Sequence, residues 1–128
     1  MFLGLRSLIH PAPDLAAAKA FYTAMLGKDP YFDEPFFVGF NVGGFELGLW
    51  PDGDPAVGPV TYWGVTDIDA ALAHVVRIGA TPRGEISNVG DGIRMVDVTA
   101  PTGDIFGLIE NPVFVADPPP ATYDGPGR

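Results

Sequence analysis

The feature that most constrains this chain is that it repeats its own plan. "IHPAPDLAAAKAFYTAMLGKDP" in the first half and "YWGVTDIDAALAHVVRIGATP" in the second share one order of signals. Each has a strand-like segment, an Asp (Asp14, Asp67), an alanine-rich amphipathic stretch, a Gly (Gly27, Gly79) and then Pro. Asp at an N-cap accepts the free N–H groups of a first helical turn. Gly just past the last turn takes the left-handed conformation that closes it. The pattern predicts helices over Leu15–Leu26 and Ile68–Ile78. A period of this length marks a duplicated supersecondary unit.

Strand-like segments follow each helix. "PYF", "FFVGFNV" and "FELGLW" follow the first; "RGEIS", "GIRMVDV" and "DIFGLIE" follow the second. Gly43-Gly44 is a two-residue hairpin signal, because such turns need positive φ. Strand–helix–three strands, twice, is an α+β fold of two tandem βαβββ modules whose curved mixed sheet encloses a cavity. The modules span about 1–52 and 58–112 and form one domain, leaving a Pro/Gly-rich tail over 113–128.

A two-residue turn at Gly43-Gly44 pairs Val42 with Phe45, Asn41 with Glu46, Phe40 with Leu47, Val38 with Leu49 and Phe37 with Trp50. Paired residues share a face, and faces alternate along a strand. Val38, Phe40, Val42, Phe45, Leu47 and Leu49 therefore make an apolar face for a helix to cover. The other face holds Phe37, Gly39, Asn41, Glu46, Gly48 and Trp50. Two aromatics, two glycines, an amide and a carboxylate suit a ligand cavity in which the glycines leave room.

The chain resembles the vicinal oxygen chelate superfamily, which includes glyoxalases, extradiol dioxygenases and bleomycin-resistance proteins. The likeness runs from about Leu5 to Pro112. It rests on the two modules, on "DLAAAKAFYTAMLG", and on "APTGDIFGLIE", where Ala100 and Asp104 replace the family's Asp and Asn. Metal-dependent members hold a divalent ion with two residues per module. Counted from each capping Asp, and through the hairpin and last strand, the resemblance puts those positions at Ser7, Val60, Glu46 and Gly107. Only Glu46 is a good donor, and a divalent site needs three or more. The resemblance thus implies the fold and the cavity, with no metal and no cofactor. Glu110, at the end of "DIFGLIE", alternates away from the cavity and reads as the polar end of a strand.

No cysteine is present, so disulfides and thiol chemistry are excluded. The net charge of −9, with 7 Lys+Arg against 16 Asp+Glu, argues against nucleic acid and anionic membrane. No apolar run approaches the roughly 18 residues of a membrane span, and a cytoplasmic location is the default. His10 and His74 fall where a surface or structural role is expected.

The expected function is metal-free binding of an aromatic or hydrophobic natural product or antibiotic, with resistance by sequestration suggested by the resemblance. The expected ligand-binding residues are Ser7, Ile9, Phe37, Asn41, Glu46, Trp50, Tyr62 and Ile109; no catalytic residue is assigned. Whether the chain is an enzyme stays open. The alternative is a lyase, isomerase or oxygenase relative using a divalent metal, or Glu46 as general base, with Asp97 a second carboxylate of uncertain face. A homodimer is the expected assembly.

Overall fold

The computed structural model describes residues 1–115; most of the expected tail, 116–128, lies outside the described residues. The first module runs β1 (Phe2–Pro11), α1 (Leu15–Leu26), β2 (Phe32–Glu34), β3 (Phe37–Val42) and β4 (Phe45–Trp50). The second runs β5 (Val60–Val65), α2 (Ile68–Arg77), β6 (Thr81–Pro82), β7 (Ser87–Gly90), β8 (Ile93–Thr99) and β9 (Ile105–Glu110). Two expected strands are displaced: β2 keeps only Phe32 of "PYF", and of "RGEIS" only Ser87 pairs, as the first residue of β7, with β6 lying before the segment.

The helix boundaries follow from their caps. Asp14 and Asp67 each accept a backbone N–H three residues on, from Ala17 and Ala70, both at 3.1 Å. Gly27 ends α1 with φ 64° and ψ 31°, the left-handed pair that glycine adopts without a Cβ penalty. The Gly43-Gly44 turn has positive φ at both residues, and its hairpin pairs Val42 with Phe45, Asn41 with Glu46, Phe40 with Leu47 and Val38 with Leu49.

The sheet curls into a half-barrel in the order β2-β3-β4-β1-β5-β9-β8-β6, with β7 also on β8. In each module the first strand lies parallel to the last, β1 on β4 and β5 on β9. The two first strands then pair antiparallel at the centre, so the modules join within one chain.

On the convex side α1 covers Val38, Phe40 and Leu49 with Leu15, Ala18, Tyr22 and Leu26. There α2 buries Ile68, Ala71 and Val75 against Val96, Val98 and Leu108. Val42 and Phe45, expected under a helix, sit beyond the reach of α1 at the hairpin tip and are exposed. His10 meets the ring of Tyr22 and His74 that of Phe2, both edge-on. Glu110 accepts the N–H of Ile68 at 3.0 Å, capping the first turn of α2 on the side away from the concave face. The concave face has its own core of Ile9, Phe37, Val60, Tyr62, Ile93, Met95 and Ile109.

Candidate functional site

One row of residues crosses six strands of the concave face. Asn41 stands opposite Glu46, Glu46 opposite Ser7, Ser7 opposite Tyr62, Tyr62 opposite Gly107 and Gly107 opposite Asp97. Opposed residues share a face, so five polar side chains and one glycine lie in line. The counterpart of Ser7 in the second module is therefore Tyr62. Val60, expected at that position, faces Ile9 in the next row. The count from the capping Asp failed because Ser7 lies seven residues before Asp14 whereas its counterpart Tyr62 lies five before Asp67, β1 running on to Pro11 and β5 stopping at Val65.

Hydrogen bonding divides the row into two centres. In the first, Ser7 Oγ donates to Glu46 Oε1 at 2.5 Å, and the Tyr31 hydroxyl donates to Oε2. Asn111 Nδ2 reaches both Oε2 and the Tyr31 oxygen at 3.3 Å. Glu46 is 2% exposed. Burial raises its pKa above the ordinary value; the bonds from Ser7 and Tyr31, the charge of Arg6 and the bond from Asn111 pull the other way without overcoming it. The Tyr31 phenol is raised too, by burial first and then by the Glu46 charge. A short segment closes this centre. Asn111 Oδ1 accepts the N–H groups of Val113 and Phe114, which folds Phe114 edge-on against Tyr31, with ring centroids 5.3 Å apart. Arg6 lies over the Phe114 ring, 5.1 Å from its centroid, and Asn41 donates to the Val115 carbonyl at 2.8 Å.

In the second centre the Tyr62 hydroxyl donates to Asp97 Oδ1. Tyr62 is 1% exposed, and its phenol is raised by burial and then by Asp97, so it stays a donor through neutral pH. This centre opens to solvent. A cleft of about 240 Å³ is lined by Trp50, Tyr62, Met95, Asp97 and the Arg83–Glu85 turn. A narrow recess beside it, lined by Ile9, Asp54 and Val60, shares Trp50, Tyr62 and Asp97. Trp50 Nε1 is buried with no hydrogen-bond partner among the described residues, an exception for a buried donor.

The expected residues divide accordingly. Ser7, Glu46 and Asn41 belong to the closed centre. Trp50, Tyr62 and Ile9 line the open one, and Phe37 and Ile109 are packed in the core between strands. The glycines leave less room than expected, because neighbouring side chains occupy it. A Cβ at Gly48 would meet Ile9 and, at 2.8 Å, Phe37; one at Gly39 would meet Tyr31 at 2.7 Å. A Cβ at Gly107 would fall against the ring of Tyr62. Tyr31, in the expected segment "PYF", falls just before β2, and Asn111 and Phe114 carried no strand periodicity that could place them at the site. Asp97 did, and only the length of the β8–β9 turn hid its face.

These positions do not fit a divalent ion. Glu46 has its oxygens engaged by three donors, Tyr62 turns its hydroxyl to Asp97, and Gly107 offers no side chain. Among the described residues no group of three or more His, Asp or Glu comes together, and no helix is long and apolar enough to cross a membrane.

No family model matches the sequence, and the curated proteins give no match. Solved structures do. A methylmalonyl-CoA epimerase variant from Streptomyces coelicolor, in complex with 2-nitronate-propionyl-CoA, is 18% identical with a TM-score of 0.68, covering 88% of this chain and 100% of that one. Methylmalonyl-CoA epimerase from Mycobacterium tuberculosis is 20% identical with a TM-score of 0.63, covering 85% and 88%. A structure described as an NAD-dependent benzaldehyde dehydrogenase from Legionella pneumophila is 18% identical with a TM-score of 0.65, covering 80% and 96%. At such identities the likeness is one of fold: this chain has the paired βαβββ fold of the methylmalonyl-CoA epimerases, which are members of the vicinal oxygen chelate superfamily.

Proposed function

We propose that this chain is a small-molecule binding protein that holds a flat organic ligand in the open cleft of the concave face, without a metal. The observation that carries this is Trp50. Its indole lines both parts of the cleft. A flat ring stacked on that indole gains about 0.5–1.5 kcal/mol beyond the area it buries. Tyr62 and Met95 supply apolar surface, and Asp97 a polar end, the mix found in ligand pockets. Sequestration of a natural product, as in the bleomycin-resistance-like proteins, is the form of binding this reading favours.

An enzymatic reading has one specific support. Asp97 is a carboxylate at an open cleft, hydrogen-bonded to a phenol that can follow a proton. In that reading the base is Asp97, since Glu46 is enclosed. Titrating a set of planar aromatic compounds against intrinsic fluorescence separates the outcomes. Binding should quench Trp50, so Trp50→Phe should abolish the change and Trp63→Phe, on the convex side, should keep it. The opposite pattern would remove the cleft from consideration. Conversion of a bound compound over time, lost in Asp97→Asn, would replace sequestration by catalysis.

A further inference from the structure

The charges around the open cleft select among ligands, an inference that rests on the binding reading above. Asp54, Glu85 and Asp97 line its two parts, against one cation, Arg83. None of these three carboxylates is ion-paired among the described residues. Asp54 and Asp97 are each held in place from one side only. Asp54 accepts the Ala56 N–H at 2.9 Å, and Asp97 accepts the Tyr62 hydroxyl on Oδ1. Asp97 Oδ2 accepts no bond from the described residues. The cleft therefore presents a fixed carboxylate on one wall and the indole of Trp50 on another.

We infer that the ligand is a small planar ring bearing a protonated amine. The amine meets Asp97, and the ring lies among Trp50, Tyr62 and Met95. Each part has a physical reason. An ammonium donor to a carboxylate makes a charge-assisted bond, about twice as strong as a neutral one. An aromatic wall attracts a cation as well as a ring. The same charges disfavour an anion such as the coenzyme A thioester analogue held by the Streptomyces coelicolor epimerase. A phosphate-bearing ligand needs several cations, and here three carboxylates surround one guanidinium.

A matched series tests this on the whole chain: tyramine, 4-ethylphenol and 3-(4-hydroxyphenyl)propanoate carry one ring and hydroxyl with a positive, absent and negative charge. Binding is followed through the Trp50 indole N–H resonance, identified by its loss in Trp50→Phe, and coenzyme A is run alongside. Tyramine should bind at least about tenfold more tightly than the propanoate, the scale of a hydrogen bond to a charged group. Its advantage over 4-ethylphenol should shrink with added salt and collapse in Asp97→Asn, whose amide oxygen still accepts from Tyr62. Equal affinities across the series, or tighter binding of the propanoate or coenzyme A, would overturn the charge assignment and leave the cleft as the site. A series in which no compound moves the Trp50 resonance would overturn both.

Discussion

Gly107→Ala should destabilise the protein by about 3 kcal/mol, at the upper end of what overpacking costs, although the change removes only a hydrogen and adds a methyl. Gly107 is not among the residues with positive φ, so alanine has no conformational penalty there. Its smaller unfolded-state entropy would by itself stabilise by about 0.4–1 kcal/mol. The cost comes entirely from the Tyr62 ring, whose edge and Cγ, the latter at 2.5 Å, stand where the new Cβ must go. That ring cannot swing aside freely. Tyr62 is 1% exposed, packed in the concave core and tied to Asp97 through its hydroxyl. Urea unfolding of Gly107→Ala, Tyr62→Ala and the double variant measures this directly. Tyr62→Ala should be costly alone, through the cavity it leaves. The double variant should cost less than the sum by more than about 1 kcal/mol, the signature of residues in contact. Additive effects, or a single variant within about 0.5 kcal/mol of wild type, would mean that the ring does not fill the space of the glycine.

That glycine also shows where the sequence stops being readable. The caps at Asp14, Asp67 and Gly27 and the register of the Gly43-Gly44 hairpin are set by residues a few positions apart, and a period of two then assigns faces along each strand. What lies opposite what across β1 and β5 depends on two irregularities in β1, between Phe2 and Gly4 and between Leu5 and Ser7. Periodicity gives no sign of them, and they are why Tyr62 rather than Val60 faces Ser7. The role of a glycine is equally non-local. Gly39, Gly48 and Gly107 look like space in a sequence, and become space only if no side chain from another strand or loop enters it; Tyr31, Phe37 and Tyr62 do. Tyr31 and Asn111 lie outside the strands, so their convergence on Glu46 is a product of the closed fold. Asp97 was visible as a mid-strand carboxylate, and the open centre at its side chain needed the β8–β9 register to be seen.

Glu46→Ala should cost about 3 kcal/mol, because it removes the acceptor shared by three donors in a place water does not reach. Ser7 Oγ, the Tyr31 hydroxyl and Asn111 Nδ2 all end on that carboxyl, which is 2% exposed. Glu46→Gln keeps the shape and one acceptor oxygen, so it should fold and lose about 1 kcal/mol where its amide N–H₂ confronts Asn111. The two forms separate further with pH. Burial raises the folded-state pKa of Glu46 above 4.5, so between the unfolded and folded values the native state binds a proton that the unfolded chain has released. The contribution of this group to stability is then fully present below about 4.5 and falls as pH rises through the folded value. Urea unfolding from pH 4 upward should show wild type losing stability relative to Glu46→Gln across that window and running parallel to it above. A difference that grows in favour of wild type as pH rises would show the opposite shift, with the hydrogen bonds and Arg6 outweighing burial. The result bears on function as well. A carboxyl that holds its proton above its ordinary range, with every donor in reach already used, joins β1, β4 and the Asn111–Val115 segment, and in the proposed binding function leaves the ligand to Trp50, Tyr62 and Asp97.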